Sequence, residues 1–317
     1  MNNDVLLVGS GPMAVEYAKV LRALGITPVT VGRGAPSAIK FQKETGLKVH
    51  SGGVEVWLAA NGGELPRRAI VAVGERWVGS VASLLIDHGV KSLLVEKPGG
   101  FDASNIRAVH LNAQRSGASL SVGYNRRFYA SVIEARRVIA EDGGVMSFNF
   151  EFTEWGHVIS SIEKEEGVKE QWLLSNSTHV MDLAFHLGGV PVELTAYTAG
   201  GVSWHPCASI FSGAGKTASG ALFSYQANWE SPGRWVLEVL TRRHRLIFKP
   251  LEKLQIQKIG SVAVEFVDLD DADDQNFKPG LFKQTREFLE GGSKLLPDSS
   301  EQVKMLDWYL KIRGQAD

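Results

Sequence analysis

The sequence predicts an α/β protein in two parts. A doubly wound parallel sheet is expected over residues 1–123, and an α+β domain on a mostly antiparallel open sheet over residues 124–317. Three observations carry this expectation. Short apolar runs at Val5–Val8, Pro28–Val31, Ala69–Val73 and Leu93–Val95 alternate with helix-length stretches, as buried parallel strands and their crossover helices do. From Gly144 the texture changes to period-two alternation, as in Ser147-Phe148-Asn149-Phe150-Glu151-Phe152-Thr153, which marks a half-exposed strand. A chain of 317 residues also exceeds one ordinary core and fits two domains.

Composition narrows the function classes. Hydrophobic content of 44% and charged content of 22% are those of a globular chain. A net charge of −1 argues against nucleic acid or an anionic membrane surface as partner. No apolar run is long enough to span a bilayer. The single cysteine, Cys207, allows no internal disulfide framework. Met1-Asn2-Asn3-Asp4 lacks the basic start of a signal peptide, so a cytoplasmic location is expected.

The first strand, Val5–Val8, runs into Gly9-Ser10-Gly11-Pro12-Met13-Ala14. A helix follows with Ala14, Tyr17, Val20, Leu21 and Leu24 on one face, stopped at Gly25. Strand, G-x-G-x-x-A and helix together form the Rossmann fingerprint of a dinucleotide site. Gly9 allows the tight turn, Gly11 lets backbone approach a pyrophosphate, and Ala14 lets helix and strand pack closely. Gly9, Ser10, Gly11, Pro12 and Met13 are therefore expected cofactor contacts at a helix N-terminus. The alternative is a plain strand–helix turn.

After Pro28–Val31, where an NAD enzyme carries an acid for the ribose 2′-hydroxyl, this chain has Gly32-Arg33-Gly34. A guanidinium suits a 2′-phosphate, so NADP is expected, with NAD possible if Arg33 is only a solvated loop residue. The Ala69–Val73 strand ends at Val73-Gly74, also expected beside the cofactor, and a helix runs from about Trp77 to His88. Leu93–Val95 leads into Glu96-Lys97-Pro98-Gly99-Gly100. Proline holds Lys97 extended at a strand end, where an open α/β sheet binds ligands. The competing view is a simple Lys-Pro turn. A helix near Asp102–Ser116 and a strand at Leu120–Val122 precede Gly123-Tyr124-Asn125-Arg126-Arg127-Phe128. Tyr124, Asn125 and Arg126 there line either a substrate cleft or a domain linker.

In the second part, strands are expected near Leu194–Thr198, Ala221–Ala227, Trp235–Thr241, Arg245–Phe248 and Ala263–Val267. Helices return at Leu281–Leu289 and Glu301–Ile312 and are able to pack back on the first domain. One further helix, capped by Ser177 or Thr178 and stopped by Gly188-Gly189, carries His179, Asp182 and His186 on one face at spacings of three and four. Three readings of that face stand open. His186 is a general acid/base oriented by Asp182; or the three bind a metal; or they are satisfied groups at an interface. Trp155 and Trp172, among several tryptophans in this part, can stack on a sugar ring or simply pack a core.

Gly9-x-Gly11-x-x-Ala14, Glu96-Lys97-Pro98, Gly123-Tyr124-Asn125-Arg126-Arg127-Phe128 and His179-x-x-Asp182-x-x-x-His186 occur in the order and spacing of the Gfo/Idh/MocA oxidoreductase family. The chain resembles that family over roughly its first 190 residues. The resemblance implies hydride transfer to or from a secondary alcohol of a sugar, cyclitol or sugar nucleotide, without a metal. It implies that Glu96 and Lys97 sit at the nicotinamide, and that Lys97, His179, Asp182 and His186 meet the substrate. On that reading His186 exchanges the proton, Asp182 holds its ring and Lys97 polarises the oxygen. Val73-Gly74-Glu75-Arg76-Trp77-Val78 departs from the Thr/Pro-Asn-x-x-His segment frequent in the family. Half-exposed aromatic strands lead to the expectation of a homodimer or homotetramer through the C-terminal sheet. The rival function is a non-catalytic regulator that binds NADP(H) and a sugar on the same fold.

Overall fold

Residues 4–61, 65–291 and 295–314 are described by the structure, a computed structural model. Met1-Asn2-Asn3, on which the absence of a signal peptide was argued, lie outside the described residues. The chain divides into two units: Met1–Asn125 with Asp273–Val303, and Arg126–Ala272 with Lys304–Asp317.

The first unit is built on β1 (Val5–Val8), β2 (Val29–Val31), β3 (Val49–His50), β4 (Arg68–Val71), β5 (Ser92–Val95) and β6 (Ser119–Val122). All pair in parallel, in the order β3-β2-β1-β4-β5-β6. Strand order reverses between β1 and β4, the place where open sheets of this kind bind ligands. The linking helices are α1 (Pro12–Ala23), α2 (Ala35–Thr45), α3 (Val54–Asn61), α4 (Val78–Asp87) and α5 (Ala103–Ser116). Leu6, Leu7, Leu93 and Leu94 are fully buried whichever way they point, because a doubly wound sheet is covered on both faces. Sequence periodicity passed over α2, β3 and α3, where the apolar signal is short. It also ran β4 two residues too far: the strand closes at Val71, leaving Val73 and Gly74 in the loop beyond it.

The second unit contains α6 (Ala130–Glu141), β7 (Ser147–Glu151), α7 (Gly156–Ser161), α8 (Thr178–Gly188), β8 (Pro191–Ala199), β9 (Ile210–Thr217) and β10 (Leu222–Asn228). It continues through β11 (Val236–Leu240), β12 (His244–Phe248), β13 (Gln255–Lys258) and β14 (Val264–Phe266). The sheet runs β14-β13-β12-β11-β7-β10-β9-β8, antiparallel throughout except for the parallel β7–β10 pair. Alternation directs Phe148, Phe150, Phe223, Tyr225, Leu237 and Val239 to one buried face. Helix α8 lies on it, with Phe185 edge-on to Phe150 at 5.5 Å and to Phe223 at 5.3 Å. A Cβ on Gly188 would stand 2.2 Å from the Phe148 ring, so this glycine sets how closely the helix end approaches the sheet. The other face is open at Tyr197, 70% exposed, and Leu222, 60% exposed.

The expected cap of α8 is not there. A π-helical turn over Leu173–Ser177 runs directly into it, and Ser177 has helical angles with no capping hydrogen bond. The Ser177 hydroxyl donates instead to Glu154. Downstream lie α9 (Ala272–Asn276), α10 (Leu281–Leu289) and α11 (Ser299–Arg313). The segment carrying α10 belongs to the first unit, where Leu281 and Phe288 are buried and the Pro297 carbonyl accepts from Val122 N–H at 2.9 Å. Among the described residues no helix is long and apolar enough to cross a membrane.

Candidate active site

In the first unit, Gly9 leaves β1 at φ 130°, and a Cβ there would sit 2.2 Å from the Ala72 carbonyl oxygen. Only glycine fits this turn. Gly11 is the reverse case, because nothing lies within 4 Å of its would-be Cβ. It is the N-cap of α1, in an extended conformation without a side-chain cap, and Pro12 opens the helix. The first turn of α1 therefore presents backbone N–H groups to open space, the geometry that receives a pyrophosphate. The buried Ser10 hydroxyl is 2.8 Å from that of Ser37, near the end of β2. Arg33 is exposed, lies 4.5 Å over the Trp77 ring, and meets Glu55 only at 3.4 Å. Neither Trp77 nor Ser37 was marked by the sequence pattern.

At the end of β5, Glu96 accepts a 2.9 Å hydrogen bond from Tyr17 of α1, and Gln284 of α10 donates to the same phenol at 2.9 Å. Burial raises the Glu96 pKa, with Lys97 and Tyr17 opposing the shift. Burial, and the neighbouring carboxylate after it, push Tyr17 well up as well. Glu96 thus ties the strand end to α1, which was not foreseen. Lys97 follows, half-buried, ahead of a cis bond to Pro98. Two expected substrate residues are buried. Tyr124 lies in the first unit's core, its hydroxyl 3.3 Å from Gln302 Nε2. Asn125 donates its amide to the Pro279 carbonyl at 2.8 Å.

In the second unit the three residues on the face of α8 have different partners. Asp182 is gripped by Arg127, with Nε at 2.8 Å and Nη2 at 2.5 Å from its two oxygens, both residues almost wholly buried. The Asp182 carboxylate is thus held by Arg127, where His186 was expected as its partner. His186 Nε2 is sealed without a partner. Burial first, then Arg127 and Arg136, hold that imidazole well below its ordinary pKa. Nor do the three side chains form a metal set, because among the described residues no group of three or more His, Cys, Asp or Glu gathers for one.

His179 lies seven residues before His186, about 10 Å along the helix at 1.5 Å per residue. It neighbours a different set of groups. Its ring is 6.0 Å from that of Trp235, over which Arg126 stands at 4.8 Å and Arg234 at 4.9 Å. Beside them Glu154 accepts from Asn176 at 2.9 Å and from Ser177 at 2.8 Å, and burial raises it to about 6. Arg234 was not singled out in the sequence, because it and Glu154 come from two separate stretches with no shared motif.

The tryptophans also separate. Trp155 is half exposed, donates to the Gly233 carbonyl at 3.0 Å, and borders a groove of about 710 Å³ with Trp204, Trp229, His157 and Glu230. Trp172 is interior, edge-on to Trp204 at 6.2 Å, and does not line the groove.

No family model and no curated protein matches the chain. Solved structures do share its fold. UDP-N-acetylglucosamine 3-dehydrogenase from Acidithiobacillus ferrooxidans aligns over 98% of this chain and 96% of its own, with 18% identity and a TM-score of 0.74. Levoglucosan dehydrogenase in complex with NADH and L-sorbose aligns over 97% and 95%, at 16% identity and a TM-score of 0.78. An NAD-binding oxidoreductase from Klebsiella pneumoniae aligns over 98% and 95%, at 15% identity and a TM-score of 0.76. These are Gfo/Idh/MocA-type oxidoreductases, and at such identities the likeness is one of fold.

Proposed function

We propose that the chain is a nicotinamide-dinucleotide-dependent oxidoreductase acting on a secondary alcohol or ketone of a sugar, cyclitol or sugar nucleotide. The observation that carries this reading is the Gly9–Gly11 cradle, closed to any side chain at Gly9 and open above Gly11 at the start of α1. The structural neighbours, sugar and sugar-nucleotide dehydrogenases among them, favour turnover over a regulator that only binds.

When bound, the dinucleotide supplies the hydride acceptor or donor. Gly9, Ser10, Gly11, Pro12 and Met13 would hold its pyrophosphate, with Val73 and Gly74 lining the same cleft. Arg33, with one long surface contact to Glu55 and no acid in its place, supports a preference for NADP. For the proton we favour His179 over His186: His179 sits with Arg126 and Trp235, whereas burial, Arg127 and Arg136 disfavour the charged imidazole that His186 would form on taking a proton. His179 takes the hydroxyl proton in oxidation and returns it in reduction. Lys97, half-buried at the end of β5, supplies positive charge for an oxyanion. Asp182, paired with Arg127, positions α8.

The lone Cys207 supports a cytoplasmic location, and the open sheet face supports a homo-oligomer. The deciding experiment is a turnover screen of sugars, cyclitols and sugar nucleotides with NADP+ and NAD+, followed by absorbance of the reduced cofactor. Cofactor binding without turnover on any of them would return the chain to the regulator class.

A further inference from the structure

Arg126, in the second unit's polar cluster, has no hydrogen-bonded acceptor among the described residues. Its guanidinium donates to none of the described residues, and its Nε is sealed from solvent. What holds it is aromatic: Trp235 at 4.8 Å and Tyr129 at 6.0 Å. The charged groups facing it are Glu252, Glu154 and Arg234. Glu252 receives the Tyr129 hydroxyl at 3.5 Å, and Glu154 receives Asn176 and Ser177. Arg234 lies over Trp155 and Trp235 and 3.8 Å from Glu154. Neither carboxylate closes an ion pair with Arg126. A desolvated cation without an acceptor is costly to keep, unless the acceptor arrives from outside.

We propose that Arg126 is a specificity-determining residue that binds a carboxylate of the substrate, which makes that substrate a sugar acid. The proposal rests on the oxidoreductase reading above and narrows its substrate class. With one face of the guanidinium on Trp235 and no described residue accepting from it, a planar, two-point partner such as a carboxylate matches its shape. Charge points the same way. One unmatched guanidinium calls for one negative charge, whereas a phosphate dianion would stand against both Glu252 and Glu154. His179 and Arg126 share Trp235 as a neighbour, at 6.0 Å between ring centres and 4.8 Å from the guanidinium, and the substrate would bridge the interval between them. A uronate or aldonate spans that interval with its acid on Arg126 and a secondary hydroxyl toward the histidine.

The test compares D-glucuronate and D-galacturonate with D-glucose, D-galactose and D-glucose 6-phosphate, by calorimetric binding and by kcat/KM with either cofactor. Both acids are expected to bind and to be preferred over their neutral counterparts. Arg126→Met should cut that preference by about 10–100-fold, mainly through KM, with Arg126→Lys intermediate. Circular dichroism checks folding, and the lysine variant carries the comparison if the methionine variant does not fold. Acid binding that depends on Arg126 without turnover of any sugar sustains the subsite and sinks the oxidoreductase reading. Turnover of sugars with no preference for acids, or with a preference indifferent to Arg126, overturns the subsite alone. Preference for the phosphate over both acids also overturns it.

Discussion

Two residues turn the site into measurements. Arg33 stands where a 2′-phosphate would be read, so Arg33→Ala should weaken NADP(H) by roughly 1.5–3 kcal/mol and leave NAD(H) nearly unchanged. Calorimetric titration of both cofactors decides this, and equal losses for the two would refute it. His179→Ala should lower kcat by about 10²–10⁴-fold on an identified substrate, while His186→Ala should spare the chemistry and act on stability. A normal kcat for the His179 variant would remove it from the mechanism. The two histidines also mark how far sequence reaches. Spacing reveals that His179, Asp182 and His186 share a helix face, but it is silent on their partners. The partner of Asp182 is Arg127, which captures it from 55 positions away. By contrast, Gly9 was legible because its constraint is local: a turn, a positive φ and a carbonyl in the way.

Helix α8 shows which elements a pattern can find. Its apolar and polar residues announce a helix, and Gly188-Gly189 its end. Its beginning was misplaced because Asn176 and Ser177, residues that commonly cap, are bonded to Glu154 on a distant stretch, and the chain stays helical through them. Strand β9 was missed for a related reason. Gly213 and Gly215 dilute its signal, yet they are there to make room for the Tyr225 and Phe223 rings of β10. The same economy of space governs Gly188. Gly188→Ala forces the Phe148 ring out of a stack with Phe150 and Phe223, and we expect about 1–3 kcal/mol lost in chemical denaturation. A fully stable variant would mean that helix and sheet part more easily than this packing allows.

For the molecule as a whole, stability should depend on pH with a predictable sign. Burial depresses His186, and it brings His205 down to about 4. Unfolded histidines titrate near pH ~6.5, so this stability is complete above that value and is lost as pH falls through and below it. Glu154 runs the other way: raised to about 6, it favours the fold at low pH and withdraws that support as pH rises through about 6. His186→Leu should therefore flatten the acid-side decline in melting temperature, and an unchanged slope would place the decline elsewhere. The open face around Tyr197 and Leu222 gives a second molecular prediction, a dimer or tetramer by light scattering at micromolar concentration. A monomeric mass would require that face to be tolerated in water. Finally, the first unit is assembled from the two ends of the message. Gln284, which holds Tyr17, and Pro297, which holds Val122, emerge from a ribosome long after the glycine turn has been made. The first unit cannot be completed until residues 126–272 of the second have been synthesised. A chain stalled before residue 273 should then be open to protease throughout its first 125 residues, and completion of the last helices should seal it.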